Sequence, residues 1–319
     1  MNEKLKREFV RAASKYTYNL NILSNLTNQE KIDRYILSEL DEILELNNQN
    51  VMEDRFNHFK IPETLLSDYE QKLIRIGKSD KLVLAGIRHL GGNSKKPFVY
   101  IWPNFKIDEN NMKDIIENVR PYFDIFNPLY INFWISPNLL SNYDINSNFT
   151  VSQKAFIADI NSLQSKKYSN KNSVLKLKKI EDSDYYSWYE EKYNRFHQTK
   201  PEMKDKVPVN DFELMEACRE ENLLYYGMVN NEKVGIIAAE KNDIFGIKGI
   251  YINEIMITED YQGNKYSENL LDNFINRLPK SANVLWCHID SENIPSTKTA
   301  LNSGQKVFSV ECFYKLQAL

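Results

Sequence analysis

The stretch Ile255–Leu271 (IMITEDYQGNKYSENLL) carries the strongest chemical signal in the chain. An apolar run ends, a short polar turn follows, and an amphipathic helix pattern begins near Lys265. Such a turn leaves backbone N–H groups free at a helix N-terminus, and with the helix dipole they make an anion site suited to a pyrophosphate. Gly263 lets a ligand approach the backbone closely. Lys265 puts a cation where the dipole alone disfavours one, which a bound anion would account for. An ordinary strand–helix turn with a solvated lysine would use the same residues, so the turn by itself leaves both readings open.

Other chemistry is thinly represented. The three cysteines, Cys218, Cys287 and Cys312, are scattered and odd in number, so neither a disulfide framework nor C-x-x-C metal spacing is expected. Reduced thiols and a cytoplasmic location are the corresponding expectations. The histidines, His58, His89, His197 and His288, form no H-x-x-x-H pattern, and no metal site is predicted. Cys287 reads as a small buried hydrophobe and His288 as a structural histidine.

The elements that must position the turn follow from periodicity. In the second half, Val174–Ile180 alternates as a strand and Asp182–His197 starts acidic, as helix N-termini prefer. Asp211–Glu221 is a second helix. Leu223–Val229 and Lys233–Glu240 flank the hairpin signal Asn230-Asn231-Glu232. Gly249–Thr258 is a longer strand, and Lys265–Leu278 is an amphipathic helix with Leu270, Leu271, Phe274, Ile275 and Leu278 inward and Pro279 at its end. Asn283–Ile289 is a buried strand, Pro295–Ser303 a helix closed by Gly304, and Val307–Lys315 a last strand.

The first half is less orderly. Residues 1–80 read as mostly helical, with inward faces at Ile32, Tyr35, Ile36, Leu40, Ile43 and Leu44 in Asn28–Leu46, and at Leu65, Leu66, Tyr69, Leu73 and Ile74 in Glu63–Ile76. Lys81–Leu90, Phe98–Phe105 and Leu129–Ser136 are strand candidates, with a helix over Met112–Phe126 interrupted by Pro121. Ser162–Ser173 is polar and aperiodic, the best linker candidate, dividing the chain into domains 1–165 and 173–319.

Composition narrows the function classes. The 319 residues suffice for roughly two domains. The hydrophobic fraction of 42% and charged fraction of 27% suit a soluble globular protein. A formal net charge of −3 argues against a long nucleic acid as main partner, since phosphate binding needs clustered Lys and Arg. The N-terminus has no apolar signal region and no stretch of about 18 apolar residues occurs, so no membrane partner is expected.

In order and motif the second half resembles the GNAT superfamily of acyltransferases over roughly Ser173–Leu316. The run YINEIMITEDYQGNKYSENLL looks like the family's fourth strand, acyl-CoA loop and third helix. The loop pattern, Gln/Arg-x-x-Gly-x-Gly/Ala, starts here at Gln262, but its glycine positions fall on Lys265 and Ser267; Gly263 sits where many members also have glycine. DSENIPSTKTALNSG looks like the later motif, with Asn293 before a helix, Gly304 ending it and Ser296 at a small-residue position. The resemblance implies an α/β (α+β) fold, with a mostly antiparallel twisted sheet flanked by helices. It implies acetyl-CoA as co-substrate and a small-molecule amine acceptor. Backbone groups of Ile255, Met256 and Ile257 would pair with the pantetheine arm, and N–H groups of Gly263, Asn264, Lys265, Tyr266 and Ser267 would hold the pyrophosphate. Asn293 and Ser296 would lie beside the pantetheine or thiol, and the strands at Ile255–Ile257 and Val284–Ile289 would splay apart around the thioester. A backbone N–H at Met256 or Ile257 would stabilise the oxyanion.

Glu254 is the first candidate for general base, because many members carry acidic residues there. Asn253 is expected on the opposite face, so one of the two would face the pocket and hold a water; strand parity does not say which. The tyrosine that protonates the leaving thiolate in many members is replaced here by Ala300, with Tyr314 and Tyr251 as possible substitutes. Trp188, Tyr189, Tyr193, Phe196 and His197 would line the acceptor pocket or simply pack on the sheet, and Glu190 and Glu191 would attract a cation or lie solvated.

Residues 81–137 repeat the rhythm strand, strand, helix, strand without the glycine loop. They read as a degenerate GNAT-like domain, giving two such domains in tandem in a monomer or homodimer. The competing readings are a non-catalytic acyl-CoA sensor and a Fem-type aminoacyl-tRNA-dependent transferase, which the acidic pI of about 6.0 disfavours.

Overall fold

The computed structural model describes residues 1–145, 148–165 and 174–316. They pack as two compact units, residues 1–154 with 308–319, and residues 155–307.

The first unit opens with helices α1 (Glu3–Tyr16), α2 (Leu20–Leu23), α3 (Gln29–Glu45) and α4 (Gln49–Phe59). Strands β1 (Lys72–Arg75), β2 (Leu82–His89) and β3 (Pro97–Pro103) follow, then helix α5 (Glu109–Val119), strand β4 (Tyr130–Ile135) and the start of β5 (Phe149–Asp159). Strands β1, β2 and β3 pair antiparallel, and β3 and β4 pair parallel. The predicted helix α3 is capped by the Asn28 side chain and buries Ile32, Ile36 and Leu40.

Glu63–Ile76 is not the helix its spacing suggested. Leu66–Tyr69 makes one 3₁₀ turn, and Lys72–Arg75 is a strand that buries Ile74 and leaves Leu73 45% exposed. The run Leu65, Leu66, Tyr69, Leu73, Ile74 satisfies a helical period, but pairing with β2 gives Lys72–Arg75 backbone partners that an isolated helix turn cannot match. Strand β5 had no counterpart among the expected elements.

The second unit contains α6 (Ile160–Ser165), β6 (Lys176–Lys179), α7 (Tyr185–Thr199), α8 (Phe212–Glu220), β7 (Leu224–Val229), β8 (Glu232–Lys241), β9 (Gly249–Ile257), α9 (Tyr266–Ile275), β10 (Val284–Asp290) and α10 (Ile294–Ser303). Its sheet runs β6-β7-β8-β9-β10, antiparallel as far as β9, with β10 parallel to β9. The hairpin between β7 and β8 turns on Asn230 and Asn231, both at positive φ (50° and 67°), which asparagine tolerates best after glycine. Of the expected linker, Ser162–Ser165 complete α6, and the remainder, 166–173, lies outside the described residues.

Both units therefore use the same arrangement, with three antiparallel strands, a crossover helix and a parallel strand: β1-β2-β3-α5-β4 and β7-β8-β9-α9-β10. The closing strand β11 (Lys306–Lys315) pairs antiparallel with β4 and counts with the first unit from Phe308 onward, so the expected second domain gives up its last strand. Among the described residues no helix is long and apolar enough to cross a membrane.

Two cores lie on opposite faces of the second sheet. One collects Leu270, Leu271, Phe274 and Ile275 of α9 with Ile250 and Ile252 of β9 and Leu285 and Cys287 of β10. The other collects Tyr185, Tyr189 and Tyr193 of α7, Met215 and Cys218 of α8, and Ile236 and Ala238 of β8.

Candidate active site

Strand β9 reverses its faces midway. Ile250 and Ile252 pack into the α9 core, and strict alternation would send Glu254 there as well. The pairing with β8 instead steps from Ala239↔Ile252 to Ala238↔Glu254, so Asn253 is an extra residue in a β-bulge. Beyond it Ile255 and Ile257 face the α9 core, while Met256 joins the α7 core. The bulge thus turns Glu254 toward the tyrosines of α7.

Glu254 is 7% exposed there. Its Oε2 accepts the hydroxyls of Tyr189 at 2.6 Å and Tyr193 at 2.7 Å, and the side-chain amide of Asn210 at 3.3 Å. Burial pushes its carboxyl up from the ordinary range, opposed by these donors and by the Ile255 N–H. Tyr185, Tyr189 and Tyr193 recur every four residues, which puts all three on the buried stripe of α7.

Asn253 does not lie on the opposite face from Glu254 as expected. Its side-chain amide points to Cys218 Sγ of α8 at 3.4 Å, on the same side of the sheet as Glu254. The cause is the bulge, which breaks the alternation that the expectation assumed. Its carbonyl accepts from Asn210, which also donates its backbone N–H to the Tyr189 hydroxyl at 3.2 Å. Asn210 was not anticipated; the available signal was a polar residue just ahead of Asp211, whose side chain caps α8.

Pairing between β9 and β10 stops at Tyr251↔Trp286, although β9 runs on to Ile257 and β10 to Asp290. The two strands part as expected, leaving half-buried Ile255, Met256 and Ile257 along a β9 edge that β10 does not cover. At the parting point the Tyr251 hydroxyl meets His288 Nδ1 at 3.2 Å, and the Tyr251 and Trp286 rings meet edge-on at 4.6 Å. Desolvation raises the Tyr251 phenol to about 12.

The opposite edge of β9 depends on a glycine. A Cβ at Gly235 of β8 would stand 2.4 Å from the Met256 carbonyl oxygen and 2.7 Å from Ile257 Cδ1. Gly235→Val should therefore push β9 out of line, lowering urea stability by about 1–3 kcal/mol. An unchanged denaturation midpoint would show that the pair of strands can absorb the extra bulk.

The turn into α9 has the predicted geometry at its centre. Gly263 sits at φ 81° and Lys265 at φ 59°, where it is the N-cap without a side-chain capping bond. Among the described residues, the backbone N–H groups of Gly263, Asn264, Lys265, Tyr266 and Ser267 meet no acceptor; the first satisfied one is Asn269, which donates to the Lys265 carbonyl. Gln262 Nε2 donates to the Ile257 carbonyl at 3.1 Å, and Asn264 Nδ2 folds back on the Tyr261 and Gln262 carbonyls, both at 3.3 Å. Ser267 Oγ contacts Thr299 Oγ1 of α10 at 3.0 Å, tying the two helices together.

Asn293 caps α10, its side chain accepting the Ser296 N–H at 3.3 Å. Ser296 is half-buried beside it, whereas Ala300 is 3% exposed within the α9 core. Cys287 is buried in that core too, and desolvation raises its thiol to about 12, too high for a nucleophile. Tyr314 belongs to the first unit, paired with Ile131 of β4.

Of the aromatic residues on α7, Tyr189 and Tyr193 reach Glu254. Trp188 packs edge-on against Tyr226 of β7 at 5.4 Å, and His197 Nε2 lies 2.9 Å from the Val207 carbonyl. Phe196 packs against Tyr193, and Glu190 and Glu191 are exposed. Among the described residues no group of three or more His, Cys, Asp or Glu side chains is placed to hold a metal.

The family model described as the acetyltransferase (GNAT) family matches residues 180–302. Residues 180–302 are a GNAT acetyltransferase domain. The match begins just after β6 and ends within α10, so it contains Glu254, the parted strands and the turn into α9. A search of curated proteins returned no match. Solved structures with partial likeness to the chain include a GCN5-related N-acetyltransferase from Sphaerobacter thermophilus, at 9% identity and TM-score 0.48, covering 81% of this chain and 84% of that one. Another is a functionally unknown conserved protein from Staphylococcus epidermidis, at 14% identity and TM-score 0.42, covering 80% and 99%. A third is Arabidopsis thaliana Naa50 in complex with the bisubstrate analogue CoA-Ac-MVNAL, at 15% identity and TM-score 0.31, covering 45% and 99%.

Proposed function

We propose that the GNAT domain binds an acyl-CoA, acetyl-CoA in the first instance, and transfers the acyl group directly to the nitrogen of a small amine. The observation that carries this reading is the parting of β9 from β10 beyond Tyr251↔Trp286, which leaves a bare strand edge beside a buried carboxylate. The edge at Ile255–Ile257 pairs with the amides of the pantetheine arm as an added strand would. The free N–H groups from Gly263 to Ser267 hold the pyrophosphate, with Lys265 adding charge, and Asn293 and Ser296 flank the arm. A backbone N–H of Met256 or Ile257 stabilises the oxyanion.

Glu254 accepts the proton the attacking amine must lose. Because its Oε2 already takes three donors, the proton reaches it through a tyrosine hydroxyl or a water rather than directly. As the amine nitrogen bonds to the carbonyl carbon and the carbon–sulfur bond breaks, the thiolate takes a proton from Tyr251. That phenol stays protonated at neutral pH and is backed by His288, so it fills the role for which Ala300 has no hydroxyl. Tyr251→Phe is expected to lower kcat for thiol release about 10-fold or more while leaving the Kd for acetyl-CoA unchanged. Equal turnover by the variant would remove Tyr251 from the mechanism.

A second reading, acyl-CoA binding without transfer, has Ala300 and the three donors already on Glu254 Oε2 in its favour. One experiment separates the two. Melting temperature is measured with and without acetyl-CoA, CoA and longer acyl-CoAs, followed by a thiol-release screen over small amines. A ligand at about 100 times its Kd should add roughly 2.7 kcal/mol of stability. Stabilisation with amine-dependent thiol release supports the transferase, stabilisation without release supports the sensor, and no shift at millimolar concentration removes both.

A further inference from the structure

The first unit holds two guanidinium groups side by side, with no carboxylate paired to either among the described residues. Arg55 of α4 and Arg88 of β2 both donate to the same acceptor, the Ile87 carbonyl, at 2.6 Å from Arg55 Nη2 and 2.8 Å from Arg88 Nη1. Strand β1 begins only at Lys72, opposite Ala85, so the arginines fill the position beside Ile87 where a strand partner would otherwise continue. Arg55 Nη1 also donates to the Tyr69 carbonyl at 3.0 Å, and Arg88 Nη2 to Gln71 Oε1 at 2.9 Å. Gln71 is 6% exposed and lies over Gly86, where any Cβ would collide with its amide.

Two like charges converging on one carbonyl repel each other, and burial adds to the cost. Their remaining N–H groups have no acceptor among the described residues, and neither arginine takes part in an ion pair. Both residues are half-buried, and desolvation is the main cause that lowers each guanidinium from its ordinary value. His89, next along β2, is 9% exposed, and neither of its ring nitrogens has a hydrogen-bond partner. Burial, with help from the Arg55 charge, lowers it to about 4, so it is neutral at ordinary pH.

From this geometry we infer that Arg55 and Arg88 form an anion-binding site in the first unit, which takes an oxyanion of the carboxylate or phosphate type. The N–H groups that the Ile87, Tyr69 and Gln71 oxygens leave over can donate charge-assisted hydrogen bonds to the oxygens of either group. Gln71 fixes the Arg88 fork, and the Tyr69 carbonyl fixes that of Arg55, so the donors are held in place before an anion arrives. The site is independent of the acyltransferase reading.

The full-length chain is titrated with inorganic phosphate and, separately, with acetate, at constant ionic strength made up with chloride. The readouts are the melting temperature and the His89 ring signals in NMR, which four histidines make tractable to assign. Saturable stabilisation together with a rise in the His89 pKa is the expected result, because the anion offsets the Arg55 charge. Whichever anion saturates at the lower concentration identifies the source chemistry. Phosphate could also occupy the head of α9, so the titration is repeated with Gly263→Tyr, where the response should persist. In Arg88→Gln, and in Arg88→Lys as a variant that keeps the charge but not the fork, the half-saturating concentration should rise at least 10-fold. The proposal is overturned if neither anion gives a saturable response, or if the response follows Gly263 rather than Arg88.

Discussion

Glu254→Gln should lower kcat/KM for amine-dependent thiol release by about 10²–10⁴-fold while the protein stays folded. The effect is large because the substitution removes the buried carboxylate that the proposed mechanism uses as its proton acceptor. It is not confounded by collapse of the site. A glutamine carbonyl can still accept the hydroxyls of Tyr189 and Tyr193, which both point at a single carboxylate oxygen. Stability gives an independent check on the protonation state. The folded pKa of Glu254 lies above its usual 4.5, so the folded chain keeps a proton that the unfolded chain has released between the two values. Wild-type stability must therefore fall as pH rises through that interval, whereas glutamine has no proton to lose. Urea titrations near pH 5 and about pH 8 should show E254Q gaining on the wild type at the higher pH. The opposite trend would mean that the tyrosine hydroxyls outweigh desolvation and hold the carboxylate ionised, and full turnover by E254Q would end its assignment as the base.

Phe274→Ala should cost about 3–5 kcal/mol of unfolding free energy and abolish measurable acyl-CoA binding at the same time. Phe274 is fully buried at the centre of the α9 core, with Leu270, Leu271 and Ile275 around it and the Tyr225 ring at 5.9 Å. Removing it leaves a cavity that close-packed neighbours fill only partly. The coupling to binding arises because α9 carries the free N–H groups of Gly263–Ser267 at its head, and the inward face of the helix holds them in position. Calorimetric titration with acetyl-CoA below the lowered melting temperature separates the two effects. A variant that is strongly destabilised yet binds with wild-type affinity would show that the turn keeps its shape without the core beneath α9.

From β6 to α10 the sequence determined the elements almost entirely. Hydrophobic period, the Asn230-Asn231 turn, the Asp211 cap and the Gly304 terminator are local signals, and each element formed where its signal lay. The turn at Gln262–Ser267 was legible for the same reason, because free N–H groups at a helix head follow from local backbone geometry alone. In the first half, local signals competed: Glu63–Ile76 fits a helical period as well as it fits a strand, and only pairing with β2 decided it. The faces of Asn253 and Glu254 also lay beyond local reasoning. A bulge is set by the register with the neighbouring strand, and one extra residue inverts every side chain after it. The partners of Glu254 come from residues 189, 193 and 210, more than forty positions away, so its buried hydrogen bonds and raised pKa exist only once α7 is folded against β9. The Arg55–Arg88 pair follows the same rule, since nothing in either residue's neighbourhood along the chain brings two cations to one carbonyl.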